Sequence, residues 1–353
     1  MSVAPGGLTL EAGGRLPSVD IAYETWGTLD GGATNAVLVE HALTGDSHAA
    51  GPAGGGHPTA GWWDGLIGPG APIDTDRFFV VCANVLGGCQ GTTGPSSLAP
   101  DGRPFGSRFP SITIRDQVEV EAALADALGI ERWAAAVGGS MGGMRVLEWI
   151  VSWPSRVARA VVLSVGAAAT ADEIALCSLQ SRAIRADPEF RDGDYYEPGP
   201  GPVRGMAIAR GIGHLSYRSS LELESRFGRV AQDGEDPLHR GRYAVESYLE
   251  HHGEKLVARF DPNSYVVLSE AMNHHDVGRC RGGTAAALSR VTADVFVGGV
   301  ATDRLYPIGL QHELAELLPG SRPAFVIDSA VGHDGFLVET EAVGTLIRAA
   351  LAR

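Results

Sequence analysis

WAAAVGGSMG, residues 133–142, is the stretch that decides the fold of this chain. Its first five residues form an apolar run of β type, and a helical pattern follows the glycines until Pro154 ends it. A serine that lies between glycines on a sharp turn from a strand into a helix exposes its hydroxyl at the edge of a parallel sheet. The glycines leave room for the strand and the helix to pass closely. The sequence therefore predicts that Ser140 is a nucleophile.

Short apolar runs recur on both sides of this stretch. They do not alternate with polar residues, which is typical of strands that are buried on both faces. Helical patterns lie between several of them, as in residues 116–128, and this order predicts a doubly wound, mostly parallel α/β sheet. The runs are residues 36–39, 78–81, 133–137, 160–163, 295–297 and 324–327.

The strand pattern is interrupted between residues 167 and 288. Helical patterns replace it at residues 171–186, 203–217, 241–260 and 265–275. We interpret residues 167–288 as a helical lid domain, inserted into an α/β core formed by residues 1–166 and 289–353. Such a lid can exclude water from a reactive acyl intermediate.

Composition and charge exclude several classes of function. The net charge is −14 over 353 residues, and Lys255 is the only lysine, which argues against nucleic acid or an anionic membrane as a partner.

The four cysteines form no Cys-x-x-Cys pair or clustered Cys/His spacing, so we expect no metal. We find neither a signal-peptide pattern nor an apolar run of about 18 residues, so we expect a cytoplasmic protein.

A nucleophilic serine needs a base, and the base needs a carboxylate that orients it. In this strand–turn–helix arrangement the chain order is serine, then acid, then histidine. Asp303 follows the run 295–297, and His333 lies between glycines after the run 324–327, so both come in the required order. Asp294 precedes its strand, at the wrong edge of the sheet, and Asp328 is too near His333. The competing histidines precede the acid; they are His41, His48, His57, His214, His274 and His275.

The oxyanion of an acyl transfer requires backbone N–H donors. One is expected from Met141, the residue after the nucleophile, and the other from the loop after an early strand. That loop is His41–Gly45, in which Leu43 is the expected donor.

Taken together, the longer motifs resemble those of the homoserine O-acetyltransferase family, which belongs to the α/β-hydrolase superfamily and acts in methionine biosynthesis. The resemblance extends into the lid, through residues 183–196 and 263–279. The core motifs are HALTGDSH (41–48), GWWDGLIGPG (61–70), IDTDRFFVVCANVLGGCQGTTGPSS (73–97), GGSMGGM (138–144), TDRLYP (302–307) and GHDGFL (332–337).

This resemblance implies a catalytic triad of Ser140, Asp303 and His333. It also implies ping-pong transfer of an acetyl group from acetyl-CoA, a co-substrate and not a bound cofactor, to L-homoserine. A homodimer formed through the lid is a further implication of the resemblance.

The resemblance also implies which residues bind the amino-acid acceptor. In the family, a lid arginine and the aspartate after the catalytic histidine hold it, and these correspond to Arg210 and Asp334. A guanidinium can bind the carboxylate of homoserine bidentately, and a carboxylate can pair with its ammonium group. Tyr217 shares a helix face with Arg210, and Thr44 lies in the oxyanion loop, so both are expected to bind substrate.

Three alternatives remain open on the sequence. The donor could be succinyl-CoA, or the acceptor could be serine, because relatives of this fold differ in such ways. The same triad also serves an esterase, in which water attacks in place of an alcohol. A non-catalytic dimeric scaffold that kept the fold is the third alternative.

Overall fold

A seven-stranded sheet forms the centre of the computed structural model, which describes residues 1–197, 199–320 and 322–352. Two smaller two-stranded sheets, β1–β2 and β5–β6, lie apart from it. The strands are β1 (Leu8–Thr9), β2 (Arg15–Leu16), β3 (Tyr23–Trp26), β4 (Ala36–Glu40), β5 (Ile67–Gly68), β6 (Ile73–Asp74), β7 (Phe79–Ala83), β8 (Ala135–Gly139), β9 (Arg159–Leu163), β10 (Asp294–Val300) and β11 (Phe325–Ile327).

Helices connect and cover these strands. Short 3₁₀ turns occur at Gly106–Arg108, Pro188–Gly193 and Pro237–His239. The α-helices are α1 (Ile114–Ala127), α2 (Met141–Ser152), α3 (Ala171–Arg185), α4 (Val203–Tyr217), α5 (Ser220–Phe227), α6 (Ala244–Val257), α7 (Pro262–Asn273), α8 (Thr284–Leu288), α9 (Ile308–Leu317), α10 (Gly335–Val338) and α11 (Thr340–Leu351). None of these described helices is both long and apolar enough to cross a membrane.

The strand order of the large sheet is β11-β10-β9-β8-β4-β7-β3. All neighbours pair in parallel except β3, which runs antiparallel to β7 at the edge. The predicted mostly parallel, doubly wound sheet is therefore confirmed. Each of the six apolar runs corresponds to a strand, whereas β3 was not predicted because its residues are half-buried or exposed.

Parallel pairing brings the carboxyl ends of β4, β8, β10 and β11 to one edge of the sheet. Ser140 follows β8, and the loop that contains Leu43 follows β4. Asp303 follows β10, and His333 follows β11. Four predicted site residues that are far apart in sequence thus meet at the edge where α/β proteins bind their ligands.

Helices α3 to α8 lie between β9 and β10, in the segment where the sequence predicts a lid. Four of them match predicted helical segments, and α5 and α8 are additional. The backbone N–H of Ser219, just after α4, donates to the carbonyl of Val331 (3.0 Å), two residues before His333, so the end of α4 contacts the loop after β11. The division into core and lid domains at residues 166/167 and 288/289 stays a prediction.

A buried cluster of charges lies beneath this edge. Arg145 of α2 is fully buried, and its Nη1 lies 2.6 Å from the Glu40 carboxylate and 2.7 Å from the Glu121 carboxylate. Its Nη2 donates to the carbonyl of His41 (2.5 Å), at the start of the oxyanion loop. Burial raises the pKa of Glu40 well above its usual value, against the opposing effect of Arg145. The guanidinium therefore fixes the loop after β4 against the helix that carries Ser140.

We expect Arg145→Met to lower the free energy of unfolding by about 3–5 kcal/mol, because it leaves buried carboxylates without their cation. Urea denaturation measures this loss. Arg108→Met is the matched control, because Arg108 pairs with Asp101 at the surface, where an ion pair contributes less than about 1 kcal/mol. Equal losses in the two variants would contradict the buried cluster's structural role.

Candidate active site

Ser140 occupies a strained turn between β8 and α2. Its backbone has φ 57° and ψ −126°, a conformation that L-residues rarely adopt. The adjacent glycines allow no side chain: a Cβ on Gly142 would lie 2.2 Å from the carbonyl oxygen of Glu40, and one on Gly139 would lie 2.5 Å from the ring of Phe336. The tight packing of strand, helix and neighbouring loops thus explains the glycines that flank the serine.

Asp303 and His333 form a buried pair. The Nδ1–H of His333 donates to Oδ2 of Asp303 over 2.7 Å. The other carboxylate oxygen, Oδ1, accepts from the backbone N–H groups of Leu305 (2.9 Å) and Tyr306 (2.8 Å). These bonds fix the carboxylate so that it orients the imidazole, and they leave Nε2 of His333 as the acceptor nitrogen.

Aromatic rings hold the imidazole in place. The ring of Tyr306 stacks on His333 with centroids 5.1 Å apart, and Phe336 meets it edge-on at 5.3 Å. Burial lowers the pKa of His333, but the charge and hydrogen bond of Asp303, with the charges of Asp334 and Glu173, oppose it, and the net pKa is raised. The group is therefore suited to accept a proton and to return it.

Ser140 and His333 line one cavity of about 130 Å³, which we call the active-site cavity. Its wall is formed by the turn that carries Ser140 (the elbow), the loop His41–Gly45 (the oxyanion loop), α3, α4 and the loops after β10 and β11. Of the other sequence-predicted site residues, those in its wall are Leu43, Thr44, Arg210, Tyr217 and Asp334.

The predicted oxyanion donors come from two elements, the loop after β4 and the start of α2. Leu43 is in the turn that follows β4 and lines the cavity. Met141 is the first residue of α2, and its side chain is buried in the core. Its backbone N–H is one of the first four of the helix, which have no acceptor inside the helix. The positive end of the α2 dipole also favours negative charge beside Ser140.

Arg210 of α4 projects into the cavity wall. Its Nη1 donates to Oγ1 of Thr44 (3.3 Å), and its guanidinium lies over the ring of Tyr217, 5.5 Å from the centroid. No acidic side chain of the described residues lies within ion-pair distance of it, and its Nε has no hydrogen-bond partner there. The guanidinium is thus available to an anion, with Thr44 and Tyr217 as its neighbours.

Asp334 has a cationic neighbour that the sequence did not predict. Its Oδ2 lies 3.3 Å from Nη2 of Arg218, one residue beyond the end of α4. Burial raises the pKa of Asp334, and Arg218, His333 and Arg210 oppose that rise. Arg210 and Asp334 therefore both lie in the wall of the active-site cavity, but Asp334 is already paired.

A second space, which we call the vestibule, lies next to the active-site cavity, and Thr44 and Arg210 line both. It encloses about 430 Å³ and includes Lys255 and Arg259, the latter in the linker after α6. These two cations were not predicted as site residues. The sequence offered one signal for them: Lys255, the only lysine of the chain, and Arg259 are four residues apart, a spacing that places two side chains on one face of a helix.

His48 and His57 line the vestibule, and both lie next to Glu24, which is outside its lining. Nδ1 of His48 lies 2.9 Å from Oε2 of Glu24, and the two imidazoles stack with centroids 3.8 Å apart. One ligand atom from each of the three residues lies within 4.8 Å of the others, a grouping that could hold a metal ion. The sequence did not predict it, because Glu24 is on the antiparallel edge strand β3, far from both histidines along the chain.

Known proteins share this arrangement. A family model of the alpha/beta hydrolase fold matches residues 35–340. The homoserine O-acetyltransferase of Thermobifida fusca (strain YX) is 61% identical over 347 residues, which are 98% of this chain and 92% of that enzyme. The chain belongs to the homoserine O-acetyltransferase family. As a member of this family of acyltransferases, it is an enzyme, and the predicted fold and family are confirmed.

Solved structures agree with the family assignment. The crystal structure of homoserine O-acetyltransferase from Bacillus anthracis matches with a TM-score of 0.91 at 28% identity, over 98% of this chain and 95% of that one. The crystal structure of esterase E22 matches with a TM-score of 0.89 at 27% identity, over 98% and 97%. The architecture of the homoserine O-acetyltransferase family is therefore shared with an esterase, so the acceptor must be argued from the cavity.

Proposed function

We propose that this enzyme transfers an acetyl group from acetyl-CoA to the side-chain hydroxyl of L-homoserine through an acetyl-Ser140 intermediate. The observation that carries the proposal is a cavity that combines a serine, an oriented histidine and an arginine for which the described residues include no acidic partner. The product, O-acetylhomoserine, would enter methionine biosynthesis. No resident cofactor is needed for this chemistry.

In the first half-reaction, Nε2 of His333 takes the proton of Ser140 as Oγ attacks the carbonyl carbon of the thioester. The N–H groups of Leu43 and Met141 stabilise the oxyanion of the tetrahedral intermediate. The C–S bond then breaks, and the thiolate of CoA leaves with the proton from His333. The acetyl group is now an ester of Ser140.

In the second half-reaction, homoserine takes the place of CoA. Arg210 binds its carboxylate, and Asp334 faces its ammonium group. Nε2 of His333 takes the proton of the hydroxyl, whose oxygen attacks the acetyl ester. The bond between Oγ of Ser140 and the acetyl carbon breaks, and the serine recovers its proton from His333.

Transfer must compete with hydrolysis of the acetyl-enzyme. Part of the cavity wall is apolar, formed by Leu176 and Cys177 of α3, Met272 of α7 and Leu305 after β10. Such a wall favours exclusion of water around the ester. The architecture shared with esterase E22 makes hydrolysis the second candidate function.

The vestibule supports a polyanionic donor. A cavity of about 130 Å³ has no room for the nucleotide part of CoA, which must lie in the vestibule. Burial and the nearby charge of Arg210 lower the pKa of Arg259, so a bound anion would relieve the repulsion between these guanidiniums. Asp46 is the one acidic residue among the described residues that line the vestibule. In a chain of net charge −14, this local excess of cations favours phosphate groups.

We expect the double variant Lys255→Ala/Arg259→Ala to raise KM for acetyl-CoA by about tenfold or more, because charge-assisted bonds to phosphate are lost. KM for S-acetylpantetheine, which lacks the nucleotide, should stay within about twofold of wild type. Steady-state kinetics with both donors measures the difference. Arg185→Ala, at a lid arginine outside the vestibule, is the matched control and should change neither KM. Equal effects on both donors would contradict a phosphate site.

We expect Arg210→Ala to lower kcat/KM for homoserine by about 100-fold, because a charge-assisted, bidentate contact with its carboxylate is lost. Acylation by 4-nitrophenyl acetate, which carries no carboxylate, should change by less than about threefold. The two half-reactions are measured separately by release of 4-nitrophenol and by decay of the acetyl-enzyme on addition of homoserine. Equal losses in both would reject a carboxylate-binding role.

A donor and acceptor panel tests the proposed function as a whole. Acetyl-CoA and succinyl-CoA are compared as donors, and homoserine, serine and water as acceptors, by kcat/KM and by the lifetime of the acetyl-enzyme. The proposal predicts the highest values for acetyl-CoA with homoserine, and an acetyl-enzyme that homoserine discharges far faster than water does. A preference for succinyl-CoA or serine, or discharge by water at the same rate, would overturn it.

The proposed homodimer through the lid is supported by apolar side chains that the lid helices expose. Large apolar side chains on a monomer surface favour burial in an interface when they lie on adjoining elements. On α3, α4 and α5 the exposed side chains are Ile174, Leu179, Ile208, Leu215 and Leu221.

The cytoplasmic location stays a prediction from the sequence.

A further inference from the structure

Glu173 is a buried carboxyl in the wall of the active-site cavity that the proposed mechanism does not use. It is on the first turn of α3 and is only 3% exposed. It lines the cavity together with Ser140 and His333. Buried carboxyl groups are rare unless they are paired, so its position calls for a function.

Helix capping accounts for only half of this side chain. Oε2 of Glu173 accepts from the backbone N–H of Thr170 (3.1 Å), and Oγ1 of Thr170 accepts from the N–H of Glu173 (3.3 Å), which together form a capping box. The second oxygen, Oε1, is buried and has no hydrogen-bond partner among the described residues.

A second capping box shows what a purely structural carboxyl looks like. Asp116 caps α1 in the same way and is also buried, at 3% exposure. Its Oδ1 accepts from the N–H of Glu11 (2.8 Å), and its Oδ2 accepts from the N–H of Thr113 (2.8 Å). Both oxygens of Asp116 are used by the fold, whereas one oxygen of Glu173, a residue that lines the same cavity as Ser140, has no partner among the described residues.

The charged groups around Glu173 are distributed unevenly over the cavity wall. On the α3 side, the wall has no cation, and Leu176 and Cys177 continue it. Arg210 is on the α4 side, where it is proposed to bind the acceptor. The titratable and charged groups that line the cavity with Glu173 are Cys177 on its own helix, Tyr306 after β10, His333 and Asp334 after β11, and Arg210 and Tyr217 of α4. The charge of Asp303, behind His333, also raises the pKa of Glu173.

We propose that Glu173 is a specificity-determining residue, which disfavours acyl groups that end in a carboxylate and so restricts Ser140 to short uncharged acyl groups. This inference rests on the proposed acyl transfer and names the donor class of the same site. An acyl chain such as succinyl would bring its terminal carboxylate against a second negative charge at low dielectric, where repulsion is strong. An acetyl group brings no such charge.

The pH dependence of the selection follows from the ionisation of Glu173. Burial raises the pKa of Glu173 to about 7, against its bonds with Thr170. Above pH 7 the side chain is charged and repels a terminal carboxylate. Below pH 7 it is protonated, the repulsion is lost and the spare oxygen can donate a hydrogen bond. Discrimination against succinyl groups should therefore grow as the pH rises.

The test uses 4-nitrophenyl esters, because they acylate Ser140 without CoA or homoserine. The esters are the acetate, the butyrate and the monosuccinate; butyryl has the chain length of succinyl without its carboxylate. The measured quantity is the ratio of kcat/KM for the succinyl ester to kcat/KM for the butyryl ester, at pH 6 and pH 8. Titration of His333 affects both esters and cancels in this ratio.

In Glu173→Gln we expect this ratio to rise about tenfold at pH 8 and to change little at pH 6. Glutamine at this position keeps the capping box, so the variant should fold. Asp116→Asn is the matched control and should leave the ratio unchanged. In the wild-type enzyme alone, the ratio should fall about tenfold from pH 6 to pH 8, which tests the inference independently of any variant.

An unchanged ratio in Glu173→Gln, the same rise in Asp116→Asn, or a flat wild-type ratio between pH 6 and pH 8 would each overturn the inference. None of these results depends on homoserine. Failure of the proposed acceptor would appear instead in the donor and acceptor panel, while the ester ratio would remain as predicted.

Discussion

Replacement of Ser140 by alanine is expected to lower kcat for acetyl transfer by about 10⁴-fold or more, because the proposed acyl intermediate forms on its hydroxyl. The loss should be in kcat, with the melting temperature within a few degrees of wild type. The hydroxyl of Ser140 makes no capping hydrogen bond to α2, so its removal costs the helix no such bond. Stopped-flow release of 4-nitrophenol from the acetate ester, in parallel with steady-state transfer, measures both activities.

Wild-type-like transfer in the alanine variant would show that homoserine attacks the thioester directly. Loss of transfer with the burst of 4-nitrophenol retained would show that another nucleophile is acylated. Circular dichroism of the variant is the control for folding.

The second large effect is expected from Asp303→Asn, which should lower kcat by about 10⁴-fold. Oδ1 of Asp303 accepts two backbone N–H bonds, from Leu305 and Tyr306, so the asparagine oxygen takes that place. The amide NH₂ then faces Nδ1 of His333 and forces the proton onto Nε2. The imidazole can no longer take the proton of Ser140, although the geometry of the site is kept.

The pH profile of this variant gives an independent readout. In the wild type, burial lowers the pKa of His333, but Asp303, Asp334 and Glu173 together raise it, and Asp303 contributes most of these three. Without the carboxylate the pKa of His333 must fall, so the acidic limb of the residual rate profile should move to lower pH. A loss below about tenfold, or a limb that does not move, would contradict the proposed role of Asp303.

Much of the fold and the order of the candidate triad could be predicted from the sequence because the signals are local. A buried parallel strand is a short apolar run, and a strand–Gly-x-Ser-x-Gly–helix turn is steric in origin. Asp303 and His333 each follow such a strand. Because the predicted strands are parallel, their carboxyl ends lie at one edge of the sheet, and the two residues are expected to lie close together there. The hydrogen bond of 2.7 Å between them agrees with that reasoning.

Contacts that depend on tertiary packing could not be predicted in this way. The pairing of Arg218 with Asp334 joins the end of α4 to a loop more than 100 residues away, and no local pattern marks it. β3 was missed because an antiparallel edge strand lacks a continuous apolar run. In the sequence, Glu173 has the position of an ordinary helix-capping residue, three residues after Thr170. Only the structure distinguishes it from other capping residues, because its second oxygen is buried without a partner among the described residues.

The most direct test of the account's central claim is mass spectrometry of the enzyme after it is mixed with acetyl-CoA in the absence of an acceptor. The account predicts one acetyl group on the peptide that contains Ser140, stable for many turnover times. Addition of L-homoserine should remove it within one turnover and yield an equal amount of O-acetylhomoserine. Formation of O-acetylhomoserine without any acetyl-Ser140, or loss of the acetyl group to water at the same rate without homoserine, would contradict the account.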